Sequence, residues 1–319
     1  MTKNIDVRLP LVIILSIIFT VTLYYLTLEI PHIIDRILRA YFPDVFFNPE
    51  LREQILNNLR PIGYLSLVIT SILIVLGFLF KRGYLSTIGS ITMYIPIFGY
   101  FAFAMFFLAG IGVLRAIWLP LIEYSPKTLE LGSIVLIPYI ILMHYTSWSI
   151  TYMISKLSAL VLIFIGLIIF TLGTATWLYG KFKGAKIIDF WIYKYIRHPQ
   201  YLGYVIWSYG LLVFISFKPY IKGAFTVPPS YPWLISTLII IGVALFEEIK
   251  MKEQYGEEYI NYINRTSFMI PLPKQMINII KWPLKIRGKD IEGIKDIVIV
   301  LITYLIILAI TSYIINVNI

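Results

Sequence analysis

Eight stretches of this 319-residue chain are apolar over about the length that crosses a lipid bilayer: roughly 9–29, 61–80, 84–120, 131–150, 158–180, 201–217, 232–249 and 295–317. A spanning segment must satisfy all its backbone polar groups internally. Runs of about twenty residues do so as helices, being too long for barrel strands. Composition agrees, since 59% of residues are apolar, only 14% are charged and the mean hydropathy is +0.83. A soluble domain of this size cannot hide that much apolar surface. The expected fold class is therefore all-α, a polytopic transmembrane helical bundle. Leu9 to Glu29 is a full span followed by Ile30 and Pro31. It reads as a retained first helix, not a cleaved signal.

Basic residues orient the bundle. The loop Lys181 to Arg197 holds five of them against Asp189, and the stretch Lys250 to Asp290 holds eight against four acidic residues. Both are expected in the cytoplasm, as is the short Lys81-Arg82-Gly83 break, while the balanced charges of 31–60 suit the outer side. Three spans between Lys81 and Lys181 would put these loops on opposite sides. The run 84–120, which as one helix would reach about 55 Å, nearly twice the hydrocarbon core, is therefore expected to divide near Pro96 to Gly99. That gives nine spans, with the amino terminus inside and the carboxyl terminus outside; one long tilted helix gives eight.

Several chemistries fall away at this stage. The chain has no cysteine, hence no disulfide, thiolate site or cysteine nucleophile, and its three histidines, His32, His144 and His198, are too scattered for a metal cluster. A formal charge of +10 would suit nucleic acid in a soluble protein. Here the basic residues are expected against the lipid bilayer, and no nucleic-acid partner is expected. His144 is expected to be a hydrogen-bonded packing residue within its span, and His32 interfacial.

Composition shifts near residue 157. Residues 1–157 form an amino-terminal membrane region of unassigned role, 158–273 carry nearly every polar cluster within reach of the bilayer, and 274–319 add a basic loop and a last helix. The first cluster runs from Trp191 to Tyr204 at the mouth of the 201–217 helix. Pro199 can open that helix, whose free N–H groups form an anion site, and Gly203 permits close approach of a ligand or a neighbouring helix. An interfacial belt of Trp, Tyr, Lys and Arg is the competing account. The second cluster holds Glu247-Glu248, then Tyr255, Tyr259 and Tyr262 on one face, then Arg265 and Pro271. Glu248 has Lys252 four residues on as a helical ion-pair partner; Glu247 faces Met251 instead.

Taken together, Arg197-His198-Pro199-x-Tyr201-x-Gly203, Glu247-Glu248 and Tyr255-Gly256-x-x-Tyr259-x-x-Tyr262-x-x-Arg265 resemble the isoprenylcysteine carboxyl methyltransferase family. Its superfamily includes phospholipid N-methyltransferases and, more distantly, sterol reductases. The resemblance covers residues 158 to 273 and implies a membrane methyltransferase core. Its cofactor would be S-adenosyl-L-methionine from the cytosol. Its acceptor would be a membrane lipid or lipidated molecule (a prenylcysteine carboxylate, an aminophospholipid or an isoprenoid) drawn from the cytoplasmic leaflet. It further implies cofactor contacts at Tyr195, Arg197, His198, Pro199, Tyr201, Gly203, Glu247, Glu248, Tyr259 and Tyr262, with His198, Glu247 and Arg265 as the catalytic or orienting groups. Carboxyl methyltransferases of this family often carry an Arg one turn before the glutamates. This chain has Gly242 and Val243 there, which weakens the case for a carboxylate acceptor. An NADPH-dependent reductase of the sterol-reductase type and a non-catalytic transporter or scaffold are the rival readings.

Overall fold

A computed structural model describes residues 8–38, 41, 49–100, 115–217, 228–271 and 291–318. Seven helices of eighteen residues or more stand among them: α1 (Arg8–Leu38), α2 (Pro49–Leu79), α3 (Gly83–Tyr100), α6 (Trp148–Phe182), α7 (Pro199–Ser216), α8 (Ser230–Tyr255) and α10 (Ile294–Asn318). Between α3 and α6 lie the short helices α4 (Leu119–Tyr124) and α5 (Ile137–Tyr145) with three 3₁₀ turns, and α9 (Glu257–Arg265) follows α8. The described residues contain no strand, only an isolated bridge between Ile196 and Ser267.

Four of these helices, α1, α2, α6 and α10, are long and apolar enough to cross a membrane. Only 17–28% of the residues in their apolar windows are buried within the protein. So much outward-facing Leu, Ile and Val needs lipid against it, and the chain is a membrane protein. Helices α7 and α8 lie inside. Leu212, Val213, Val243 and Ala244 are wholly buried.

Two expectations about the spans are corrected. The 131–150 stretch is not one helix: a 3₁₀ turn at Ser133–Leu136 leads into the nine-residue α5, which stops at Tyr145 before Thr146 turns extended. Ser147 then caps α6, its Oγ accepting from Ile150 N at 3.4 Å, so the helix expected to start at 158 starts at Trp148. Residue 157 therefore lies inside a 35-residue helix, not at a boundary. The other correction is at Pro96, where α3 runs unbroken to Tyr100; residues 101–114 and the basic stretch 272–290 lie outside the described residues.

The basic ends gather at one side of the bundle. Lys250 Nζ donates to Lys81 O at 2.5 Å and Arg8 Nη1 to Phe182 O at 3.3 Å, joining the ends of α8, α2, α1 and α6. At the other side Ser133 Oγ bonds Asn316 Oδ1 at 2.7 Å and Ser230 Oγ bonds Leu129 O at 3.3 Å. α3 starts at the basic end, beside Lys81, and α6 finishes at it in Phe182.

Small residues set the closest packing. Ala159, Gly166 and Gly173 recur every seven residues along α6, opposite Gly203 and Gly210 of α7. A Cβ on Gly203 would stand 2.6 Å from Phe170 N, and one on Gly166 2.6 Å from Trp207 N, so the two backbones touch. Polar ties join α3 to the inner helices: Ser90 and Ser236 share a bond of 2.7 Å, and Tyr94 OH donates to Ser208 O at 2.7 Å.

Candidate functional site

The site is built where α7 begins. Residues 183–198 lead out of α6 through Gly184 (φ 70°) and a 3₁₀ turn at Trp191–Lys194, and Pro199 then starts α7 with the φ its ring fixes. The chain leaving α9 returns along this loop. Arg197 N donates to Ser267 O at 2.9 Å and Ser267 N to Tyr195 O at 3.2 Å, which pins both segments.

Arg197 is the centre of the lock. Its Nε donates to Glu248 Oε1 at 2.5 Å, and its Nη1 donates to Ile263 O at 3.0 Å and to Thr266 O. Both side chains of the ion pair are less than a tenth exposed. His198 Nε2 lies 3.2 Å from the same Glu248 Oε1, so the imidazole presents an N–H there and turns Nδ1 towards Glu247, 3.9 Å away. Buried ionic groups are tolerated when their remaining sites are satisfied, and Arg197 meets three acceptors. The local Glu248–Lys252 pair is overturned by this geometry. Glu248 points inward to Arg197, 51 residues away in sequence.

Glu247 has a different environment. Its side chain is 46% exposed, and Tyr201 OH donates to its Oε1 at 2.6 Å. Tyr193 OH donates to Gln200 Oε1 at 2.6 Å, and Tyr262 OH to Tyr193 O at 2.7 Å, so α9 closes over the mouth of α7 through tyrosines. Burial is the main cause raising Tyr193, Tyr259 and Tyr262 above the ordinary phenol value, which keeps them neutral donors.

These groups line one cavity of about 780 Å³. Arg197, His198, Tyr201, Glu247, Tyr259 and Tyr262 stand on its wall, with Lys181 and Lys186 beside them. Of the residues expected from sequence, Glu248, Pro199 and Gly203 are off that wall. Glu248 is spent on Arg197 and His198, and Gly203 meets the α6 backbone. Tyr195 is 63% exposed and contributes its backbone to the bridge. Arg265 also lies outside: its Nη2 pairs with Asp189 Oδ2 at 2.5 Å, with side chains 64% and 44% exposed. His144 is exposed against the Tyr145 ring and is no packing histidine. The side chain of His32 is outside the described residues.

Sequence reasoning missed the larger part of the wall. Leu15, Phe19 and Leu23 of α1, Thr87 and Ile91 of α3, and Thr174 and Tyr204 line the cavity away from the polar mouth. The departure at Gly242 also has a physical counterpart. A Cβ there would meet Leu301 Cδ1 at 2.6 Å, because α10 packs on that face.

Among the described residues no group of His, Asp and Glu is arranged to hold a metal ion. The chain matches no protein-family profile, no curated protein and no solved structure.

Proposed function

We propose that the protein is a multi-pass membrane methyltransferase that uses S-adenosyl-L-methionine and modifies a lipophilic acceptor, with its cofactor mouth on the cytoplasmic side. The observation that carries this reading is the single cavity whose polar end combines an accessible Glu247, neutral tyrosines and the start of α7, and whose other end is apolar. A methyltransferase of lipids needs those two surfaces side by side, because positioning for in-line displacement is most of its work. The gathered basic ends support a cytoplasmic mouth and seven crossing helices, α1, α2, α3, α6, α7, α8 and α10.

The residues present fit the cofactor chemically. Glu247 is half exposed and suits an ammonium or ribose hydroxyls; the Tyr201, Tyr259 and Tyr262 rings suit a sulfonium; the first free N–H groups of α7 suit a carboxylate. When bound, the cofactor supplies an electrophilic methyl whose bond to sulfur breaks as the bond to the acceptor atom forms. Tyr201 holds Glu247 in place, and Arg197 with Glu248 fixes the backbone from which His198 projects. An amine acceptor would pass its proton to a base, for which His198 Nδ1 is placed on the cavity side, whereas a carboxylate acceptor needs none.

Lys181 and Lys186 on the same wall give the reductase reading one observation in its favour, because a phosphorylated nicotinamide needs basic groups. Calorimetric titration of the purified protein with S-adenosylhomocysteine and, separately, NADPH decides between them. The expected result is saturable S-adenosylhomocysteine binding that weakens in Glu247→Gln and Tyr201→Phe, with none for NADPH. Binding of NADPH alone would make it a reductase, and binding of neither would leave a transporter or scaffold.

A further inference from the structure

Gln200 lines the cavity from the first turn of α7, between His198 and Tyr201. Its stem lies against α6: a Cβ added to Gly173 would stand 3.2 Å from Gln200 Cγ. Its carbonyl is spent, because Tyr193 OH donates to Oε1 at 2.6 Å. Tyr193 is held in turn, being buried and accepting from Tyr262 OH at its backbone oxygen at 2.7 Å.

The sense of the carboxamide follows from these contacts. Tyr193 OH has no other acceptor among the described residues, so turning the amide nitrogen towards it would strand a phenol proton in a buried site. Oε1 therefore faces Tyr193 and Nε2 faces the other way. Among the described residues Nε2 has no hydrogen-bond partner, and it is not one of the unpartnered atoms that packing seals, as Thr174 Oγ1 and Tyr204 OH are. Other donors on this wall are committed. Arg197 is bonded to Glu248 and two carbonyls, Tyr201 to Glu247 and Tyr262 to Tyr193.

A carboxamide with both ends free recognises an adenine by donating and accepting side by side. Here the accepting end is occupied, and what remains is a group that only donates. Its complement is a group that only accepts, which a carboxylate is. The local field has the same sign, since α7 has no side-chain cap and the first-turn N–H groups of Gln200 and Tyr201 lack intrahelical acceptors. Glu247 supplies the opposite charge within the same cavity.

We propose that Gln200 is a specificity-determining residue of this site, its Nε2 donating to the carboxylate of the cofactor's amino-acid end, with Tyr193 as the positioning residue that holds the amide in that sense. This rests on the methyltransferase reading and divides its amino-acid subsite in two, the ammonium at Glu247 and the carboxylate at Gln200.

The test is calorimetric titration of the full chain with S-adenosylhomocysteine and with its decarboxylated analogue, S-adenosyl-3-thiopropylamine, which keeps the adenosine, the thioether and the ammonium. Wild type should prefer S-adenosylhomocysteine by roughly ten-fold or more, as one hydrogen bond to a charged group provides. Gln200→Leu should erase that preference by weakening S-adenosylhomocysteine alone, the unchanged analogue affinity being the control for folding. Gln200→Glu should reverse it, because the new carboxylate repels one ligand's carboxylate and attracts the other's net positive charge. Tyr193→Phe, which frees the amide to turn, should reduce the preference without erasing it, whereas Glu247→Gln should weaken both ligands alike. No preference in wild type, or equal losses for both ligands in Gln200→Leu, or none for either, would overturn the assignment while S-adenosylhomocysteine binding kept the methyltransferase reading. Wild type that binds neither ligand would remove both.

Discussion

Cutting the Arg197–Glu248 pair is the sharpest perturbation of this architecture. The side chains are 8% and 9% exposed, so solvent screens neither. Glu248→Leu leaves a guanidinium buried with only the carbonyls of Ile263 and Thr266, and removes the acceptor of His198. Breaking one side of such a pair costs about 3–5 kcal/mol, a population change of more than a hundredfold at about 1.4 kcal/mol per decade. Arg197→Met leaves the carboxylate buried with His198 as its remaining partner, and a loss of the same order is expected. The double variant leaves no unpaired charge. It loses the two carbonyl contacts, worth about 1.5–3 kcal/mol each at most when the donor is charged, and should fall well short of the sum of the single losses. Unfolding in mixed micelles titrated with dodecyl sulfate, followed by tryptophan fluorescence, measures all three. A coupling energy near zero, or single losses below about 1 kcal/mol, would refute the account of Arg197 as the residue that joins α9 to α8, because both outcomes require a solvated pair.

Three further outcomes follow from the same geometry. Gly203→Ala places a methyl 2.6 Å from Phe170 N and must part α6 from α7, so a loss of about 1–3 kcal/mol in the same unfolding titration is expected. Arg265→Ala removes an ion pair whose partners are about half exposed or more, and should change stability by less than about 1 kcal/mol. Burial raises Tyr193, Tyr259 and Tyr262 in the folded protein, whereas unfolded tyrosines ionise near pH ~10. The contribution of the α9 cap is therefore full below about pH 10 and declines as pH rises beyond it, to be seen as faster proteolysis within residues 257–271 at about pH 11 than at about pH 8.

What could be read in advance follows the range of each interaction. Helical class and membrane character are properties of twenty-residue windows, and the α1, α2 and α10 stretches were legible from them. The break at Thr146 and Ser147 was not, because two residues barely change the hydropathy of such a window while an extended Thr146 ends the helix. Glu248 shows the same limit within the site. A helix neighbour such as Lys252 is visible from spacing, whereas Arg197 reaches Glu248 only because α9 and the 183–198 loop lock together. The aromatic and charged cluster at 191–204 was legible as a site, but not the division of labour between a buried, spent Glu248 and an accessible Glu247.

The composition changes near residue 157, but the two halves of the chain pack against each other. Ser90 and Tyr94 of α3 are bonded to Ser236 and Ser208 of the inner helices, and α1 closes the cavity over Phe170 with Phe19 stacked on its ring at 6.4 Å. The last helix has an equivalent role on the other side. Where the resembled carboxyl methyltransferases often carry an arginine, Gly242 is pressed against Leu301 and Ile297, and an arginine there would have to displace α10. On the methyltransferase reading, the acceptor's polar group must then be met from the opposite wall. Lys181 and Lys186 stand on the cavity wall, and their charge suits an anionic lipid headgroup better than a bare hydrocarbon.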